Sequence, residues 1–237
     1  MILVSIIPSA ISVISICFLT RDRETQVAPS QPSVPTPSVW HLPRRFWLFV
    51  AGVLLFGLGD FSRTFLIYLA VQHLGEHAGG GLSVAVLLYT LHNGVSALAA
   101  YPAGQLGDRR SKLGMLCGGY GVGVVTNMLL GVFFGSLLWL VIAIVLSGCY
   151  IAIEETLEKA VAAEFLPREL RSLGLGILAC ANAVGDMGSS LYVGVLLGAG
   201  YPRLAFAAPA VVGWLGMMWM LVLLKRSMEQ SQVVQVD

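Results

Sequence analysis

A short charged segment, YPAGQLGDRRSKL at residues 101–113, joins two long apolar runs of the sequence, 82–104 and 113–133. A bilayer core about 30 Å thick needs roughly 20 helical residues to cross it, and both runs are near that length. Basic residues that cluster between two such runs are typical of a loop on the cytoplasmic side of the membrane. We therefore expect the chain to cross the membrane, turn at DRRSK and cross again.

The composition of the whole chain supports this interpretation. Hydrophobic residues make up 57% of the 237 residues, charged residues make up 11%, and the mean hydropathy is +0.81. Those values predict an all-α membrane protein with several spans, since strands of a membrane barrel would be shorter and would alternate in polarity. Seven apolar runs approach the length of a spanning helix: 2–19, 46–71, 82–104, 113–133, 137–153, 172–198 and 204–224. The net charge of +1 gives no indication of a nucleic-acid partner.

The basic residues are distributed unevenly among the loops. Of the 14 basic residues, all but Arg63 and Arg203 fall in alternate loops: Arg21, Arg23, Arg44, Arg45, Arg109, Arg110, Lys112, Lys159, Arg168, Arg171, Lys225 and Arg226. Because loops rich in Lys and Arg face the cytoplasm, this distribution predicts a cytoplasmic C-terminus.

The chain divides into four predicted segments. Residues 1–19 read as the tail of a spanning helix whose beginning is missing. Residues 20–45 hold five of the chain's 10 prolines and few large apolar residues, which is typical of a cytoplasmic linker. Residues 46–226 are expected to form a six-helix transmembrane bundle, and residues 227–237 a cytoplasmic tail.

Two opposite charges interrupt the apolar run 46–71, in the sequence GLGDFSRTFL. On a continuous helix Asp60 and Arg63, three residues apart, would share one face, and each would offset part of the cost of burying the other. Two roles are open for them. They could form a structural ion pair that fixes helix packing, or they could act in a water-accessible cavity, as ionisable residues inside membranes commonly do.

A second acidic residue, Asp186, lies near the middle of the run 172–198, with no basic residue within one helical turn. Its partner is therefore expected on another helix, and Arg63 and His92 are the candidates. Reversible protonation during transport is one role for this carboxyl. The other is structural, with a protonated Asp186 bonded to a backbone carbonyl or to Asn182.

Polar residues also occur at mid-depth in the run 82–104. His92 and Asn93 are expected to form a polar patch to which Asn127 and Asn182 contribute from other helices. A boundary role at the solvated inner face of the membrane is expected for three glutamates, Glu154, Glu155 and Glu158.

Enzymatic and metal-binding motifs are weak in this sequence. HLGEH at residues 73–77 matches a zinc-protease pattern, but Gly75 interrupts it and three glycines follow at 79–81. The four cysteines lie in apolar runs without C-x-x-C spacing, which favours a packing role. We expect no enzyme activity, no metal and no cofactor.

Two cytoplasmic segments carry a resemblance to a known family. The first segment resembles the G-x-L-a-D-r-x-G-r-k loop of the major facilitator superfamily, with Ser111 in place of the usual glycine; the matching residues are Gly104, Leu106, Asp108, Arg109 and Lys112. The second, IAIEETLEKAVAAEFLPRELRSLGLG at 151–176, is similar to the loop between helices ten and eleven of the family, through Glu155, Lys159, Ala160, Pro167, Arg171 and Gly176. Asn93 and the YPAG tail of its run are similar to a bacterial branch.

The resemblance implies the second six-helix half of a facilitator, with one preceding helix, in the inner membrane of a bacterium. Such a protein would move a small solute by alternating access, driven by a proton or ion gradient, with the missing N-terminal half or a second copy as partner and lipid around it. The cavity would then contain Asp60, Arg63, His92, Asn93 and Asp186. A conformational latch would contain Gly104, Asp108, Arg109, Lys112, Glu155 and Arg171. The alternative is a membrane scaffold of truncated facilitator fold that transports nothing.

Overall fold

The computed structural model of the protein describes residues 39–62, 65, 81–133 and 136–234. These residues contain six α-helices and two short 3₁₀ helices, at Val39–His41 and Arg168–Leu170, and no strand is present among them. The helices are α1 (Arg44–Gly57), α2 (Gly81–Arg109), α3 (Lys112–Val132), α4 (Leu137–Phe165), α5 (Arg171–Gly198) and α6 (Pro202–Val234). By length and composition, α3, α4 and the part of α6 from Pro202 to Glu229 can each cross a membrane. The prediction of an all-α membrane bundle is confirmed.

The helix predicted over 46–71 does not continue through its centre. Helix α1 ends at Gly57, residues 58–59 form a turn, and residues 60–62 are irregular. Asp60 therefore lies outside any helix. The expectation that Asp60 and Arg63 share one helical face is wrong, because Asp60 is not helical. Arg63 lies outside the described residues.

Two other helices extend beyond the predicted runs at their C-terminal ends. Helix α2 continues to Arg109, so Gly104, Asp108 and Arg109 belong to a helix and not to a loop. The connection to α3 is short, because α3 begins at Lys112. Helix α4 continues to Phe165 instead of ending near residue 153, which brings all three glutamates of the expected boundary cluster into the helix.

The described helices pack around two groups of buried apolar side chains. Helix α1 packs against α5 and α6, α3 packs against α4 and α6, and α2 packs against α4. Phe56, at the end of α1, belongs to the first group and stacks on Tyr120 with a ring-centroid distance of 3.6 Å. Phe61, after the break, belongs to the second group and packs against Phe206. The non-helical residues after α1 thus lie between the two apolar groups.

Several expectations fall on residues that the structure does not describe. The predicted helix at 1–19, most of the linker at 20–45 and the HLGEH segment at 73–77 lie outside the described residues.

Candidate functional site

The break after α1 exposes backbone carbonyl groups that a continuous helix would have used internally. Each of three consecutive carbonyl oxygens accepts a hydrogen bond from a side chain on α3 or α5. The pairs are Leu58 with Tyr192 (2.7 Å), Gly59 with Asn127 (2.9 Å) and Asp60 with Ser189 (2.6 Å). Unsatisfied backbone groups are costly where water is excluded, so these donors stabilise the break.

Close backbone packing holds the break against two neighbouring helices. A Cβ atom on Gly59 would lie 2.4 Å from the backbone nitrogen of Gly213 on α6, and one on Gly185 of α5 would lie 2.9 Å from the carbonyl carbon of Gly57. Only glycine fits at such distances, because real Cβ contacts are longer. The sequence GLGD therefore ends α1 where two helices approach its backbone.

A residue of α4 binds the side chain of Asp60. The hydroxyl of Tyr150, which is buried, donates a hydrogen bond to the Asp60 carboxylate. Next to it, the backbone nitrogen of Ser62 donates to Ser190 Oγ on α5 at 3.1 Å. Asp60 is half-buried, so its charge lies at the centre of a polar region that α4 and α5 build around the break.

Asp186 lies on a polar stripe of α5, with Asn182 and Ser190 one turn away on either side. Residues four apart in a helix share one face, so these three side chains form a continuous line. Asp186 is exposed on the described bundle. A separate exposed face of α5 is wholly apolar and contains Val184, Leu191 and Val195, with exposed fractions of 52%, 70% and 63%. The helix thus presents one polar and one apolar surface.

The position of Glu158 differs from the one expected for the glutamate cluster. Its side chain is only 3% exposed, although a solvated boundary position was expected. It accepts hydrogen bonds from the hydroxyl of Tyr120 on α3 and, at 2.7 Å, from Nδ2 of Asn182 on α5. The extension of α4 carries Glu158 into the bundle, where one carboxyl joins three helices.

Two further links bring Glu158 and the other two carboxyl residues into one region of the bundle. Asn182, which bonds to Glu158, lies one helical turn from Asp186, and Tyr150, which bonds to Asp60, lies on α4 with Glu158. Sequence reasoning found Asp60 and Asp186 but missed Glu158, Tyr120 and Tyr150. The sequence held one indication that Glu158 is buried. If the helix that contains the run 137–153 continues past residue 153, the helical spacing places Glu158 on a face that continues this apolar run, which favours burial.

The expected polar patch around His92 is not formed as predicted. His92 is buried between α2 and α4, and its Nε2 lies 3.1 Å from Ser147 Oγ. Asn93 is exposed and donates to the carbonyl oxygen of Tyr89 on its own helix at 2.9 Å. Asn127 instead bonds to the carbonyl oxygen of Gly59 in the break, and Asn182 instead bonds to Glu158. His92 and Asn93 therefore occupy different surfaces of α2.

The turn between α2 and α3 has a defined ionic arrangement. Nζ of Lys112 lies 2.7 Å from Glu164 Oε1 on α4 and 3.7 Å from Asp108 Oδ1. Ser111 caps α3, because its Oγ accepts a hydrogen bond from Gly114 N at 3.1 Å. The serine that departs from the family pattern thus supplies the first hydrogen bond of the helix.

The remaining residues of the predicted latch are distributed over this end of the bundle. Arg109, Glu155 and Arg171 are exposed. A Cβ on Gly104 would make only an ordinary contact of 3.4 Å with Thr156, whereas one on Gly107 would lie 2.5 Å from Leu157. Of these two glycines of α2, Gly107 therefore packs more closely against α4 than Gly104 does.

A metal site would need several His, Cys, Asp or Glu side chains close together in the part of the chain that the structure describes. No group of three or more His, Cys, Asp and Glu side chains there could hold a metal ion. Among the carboxyl groups of the region, those of Asp60 and Glu158 each accept a hydrogen bond from a tyrosine hydroxyl, and that of Glu158 also accepts one from the amide of Asn182.

Comparison with known families agrees with this architecture. The sequence profile of the Major Facilitator Superfamily matches residues 55–235, which include the break, the polar stripe of α5 and the turn between α2 and α3. Among proteins with curated descriptions, none matches the chain. A match over most of the 237 residues, on a bundle of apolar helices, establishes that this integral membrane protein belongs to the major facilitator superfamily, a family of transporters.

Proposed function

We propose that this chain is the carboxy-terminal half of a secondary transporter, which moves a small solute across the inner membrane of a bacterium by alternating access. In this proposal residues 1–19 end a helix of the first half, residues 20–45 form a cytoplasmic linker, 46–226 form six spans, and 227–237 are a cytoplasmic tail. The missing first half or a second copy completes the cavity.

The observation that carries the proposal is the break after α1. Interrupted spans are tolerated in membranes where the free backbone groups are buried in protein or face a water-filled cavity, and transporters use them as binding sites. Here the break places Asp60 beside Tyr150, with its carbonyl oxygen bonded to Ser189. A packed bundle with no transport role has no need of a polar break between its two apolar groups.

The polar stripe of α5 supports a cavity on one side of the bundle. An exposed carboxylate such as Asp186 is costly against lipid, so its face requires water or another protein surface. The apolar face with Leu191 fits lipid. We infer that Asn182, Asp186 and Ser190 face the solute pathway and that Asn93, exposed on α2, faces it as well.

The three carboxyl groups are the proposed carriers of a coupling proton. Glu158 has donors on both sides, Tyr120 and Asn182, and Asn182 lies one turn from Asp186 on the same stripe. An asparagine amide does not relay protons, so in this proposal water in the cavity carries the proton between Asp186 and Glu158. Arg63 and His92 are further proposed members of the cavity, and the pairing of Arg63 with an acidic residue stays a prediction.

The turn between α2 and α3 is the proposed conformational latch. Lys112 joins α3 to α4 through Glu164 and also contacts Asp108 on α2, so three helices meet at one ammonium group. Gly104, Arg109, Glu155 and Arg171 are proposed to act at this end of the bundle against the other half.

Cysteine accessibility tests the proposal without knowledge of the solute. In a background in which the native cysteines are replaced by serine, Asp60→Cys and Asp186→Cys are treated with a membrane-impermeant maleimide in sealed vesicles of both orientations. We expect labelling of Asp186→Cys, and labelling of Asp60→Cys in at least one orientation. Leu191→Cys, on the apolar face of α5, is the matched control and should not react.

Two outcomes contradict the proposal. If the cysteines at positions 60 and 186 stay unreactive in every orientation while a surface cysteine at Glu169 reacts, the bundle has no aqueous pathway. If the cysteine at 191 reacts as fast as that at 186, α5 has no separate lipid face. Either result favours a membrane scaffold that transports nothing.

A further inference from the structure

A shallow groove runs between α1 and α6, away from the break and the polar stripe. It has a volume of about 80 Å³ and is lined by Leu48, Trp219, Val222, Leu223 and Arg226. The indole nitrogen of Trp219 donates to the carbonyl oxygen of Leu48 at 2.9 Å, which fixes the two helices at the same level. The lining is apolar except at one end, where Arg226 is found.

The residues of α6 that line the groove place its charged residue, Arg226, at one end. Trp219, Val222, Leu223 and Arg226 follow the spacing of one helical face, and Arg226 lies about 10 Å beyond Trp219 along the axis. Trp219 and Val222 are 42% and 54% exposed, so the apolar part of the groove is open to the surroundings.

Helix α1 adds two further basic residues at the same end. Arg44 and Arg45 precede Leu48 by four and three residues, so both lie on its side of the helix and about one turn closer to the start of α1. Since α1 begins where α6 approaches its end, Arg44, Arg45 and Arg226 extend past the apolar part of the groove in the same direction. All three are exposed, and within the described part of the chain no acidic side chain forms an ion pair with them.

Exposed tryptophans mark the depth of this end in the membrane. Trp40, in the 3₁₀ helix before α1, is 94% exposed, and Trp47 is 40% exposed. Tryptophan is enriched at the level of lipid headgroups, where its apolar ring contacts lipid and its N–H group contacts water. We therefore expect the basic residues beside Trp40 and Trp47 to lie near the level of the lipid phosphates.

We propose that the groove between α1 and α6 is a binding site for an anionic phospholipid of the cytoplasmic leaflet. One acyl chain lies along Leu48, Trp219 and Val222, and the phosphate lies between Arg226 and the pair Arg44 and Arg45. Charge complementarity would select an anionic lipid over a zwitterionic one, because three guanidinium groups that form no ion pair within the described residues lie at this end of the groove. The bound lipid would join the first helix of the bundle to the last.

Native mass spectrometry of the purified full chain tests this proposal. The protein is equilibrated in detergent with phosphatidylglycerol or with phosphatidylcholine of the same acyl chains, and the fraction that retains one lipid is measured. We expect the wild type to retain phosphatidylglycerol at concentrations about tenfold or more below those needed for phosphatidylcholine. Inorganic phosphate should not compete, because it cannot occupy the apolar part of the groove.

The double variant Arg44→Gln/Arg226→Gln should lose this preference, with about tenfold weaker retention of phosphatidylglycerol. Arg168→Gln, which removes an exposed charge in the connection between α4 and α5, is the control and should retain the lipid as the wild type does. Equal retention of the two lipids by the wild type would overturn the proposal. So would undiminished retention of phosphatidylglycerol by a folded double variant, or displacement of the lipid by inorganic phosphate.

Discussion

The side-chain amide of Asn127 on α3 donates to the carbonyl oxygen of Gly59 at 2.9 Å, 68 residues away in the sequence. Asn127 is only 9% exposed, so water cannot readily replace it. The bond satisfies a carbonyl group that became available only because α1 ends at Gly57. The break is thus stabilised by a residue of a different helix, α3.

Replacement of Asn127 by leucine should destabilise the bundle. The Gly59 carbonyl would lose its donor in a region of low polarity, at a cost of about 1–3 kcal/mol. The measurement is the free energy of unfolding in mixed micelles. Thr126→Val is the matched control, because Thr126 is equally buried but its hydroxyl bonds to Val122 on its own helix at 2.8 Å. Equal losses in the two variants would show that the bond to Gly59 has no special weight.

Substitution of Gly59 by alanine should be more damaging than its small size suggests. The added methyl group would lie 2.4 Å from the backbone nitrogen of Gly213 and 2.7 Å from the carbonyl oxygen of Pro209, so α6 must move, at about 1–3 kcal/mol. Gly118→Ala is the control, since nothing lies within 4 Å of a Cβ there and alanine favours the helix by about 0.5–1 kcal/mol. Thermal unfolding in detergent compares the two, and a stabilised Gly59→Ala would contradict the observed packing.

Hydropathy located continuous helices but could not reveal the break. The predicted run 113–133 corresponds to α3 at Lys112–Val132, and the run 172–198 corresponds to α5 at Arg171–Gly198. These helices are continuous, so their ends coincide with a change from apolar to polar residues. Gly57 and Gly59 produce no such change, and their effect depends on Gly185 and Gly213, which are distant in the sequence.

The sequence predicted only part of the candidate site, because local composition identifies some of its residues and contacts distant in the sequence determine the others. Asp60 and Asp186 are evident because a charge within an apolar run requires a partner. Glu158 was assigned to solvent because its charged neighbours, such as Lys159, suggest a boundary. Its burial depends on contacts with Tyr120 and Asn182, which lie 38 and 24 residues away and cannot be inferred from local composition.

Glu158 should tolerate glutamine better than alanine. The amide oxygen of glutamine can still accept from Tyr120 or Asn182, so we expect a change in the free energy of unfolding below about 1 kcal/mol. Glu158→Ala removes both bonds and leaves a cavity, at about 2–5 kcal/mol. Unfolding in mixed micelles measures both changes, with the exposed Glu169→Gln as a neutral reference. A Glu158→Ala variant as stable as Glu158→Gln would contradict the role assigned to these bonds.

The ion pair of Lys112 with Glu164 should contribute little to stability. The two side chains are 24% and 54% exposed, and pairs of this exposure contribute about 0–1 kcal/mol. A double-mutant cycle with Lys112→Met and Glu164→Gln measures the coupling between them at low and high salt. We expect the coupling to disappear at about 1 M salt, where the screening length is about 3 Å. A coupling well above 1 kcal/mol that persists in salt would indicate a buried pair.

Asp186→Asn should impair transport while leaving the fold intact. Asparagine keeps the shape and polarity of the stripe with Asn182 and Ser190, but it cannot bind and release a proton. We expect uptake from a mixture of sugars, amino acids and organic acids into vesicles with an imposed pH gradient to fall by about tenfold or more, since intramembrane carboxyl groups that carry protons have no neutral substitute. Mass spectrometry of the vesicle contents identifies and quantifies the solute. Glu229→Gln, which removes an exposed carboxyl near the end of α6, should transport as the wild type does. Full pH-driven uptake by Asp186→Asn would exclude this carboxyl as a proton carrier. Absence of uptake by the wild-type chain, both alone and with the first half supplied, would favour a scaffold.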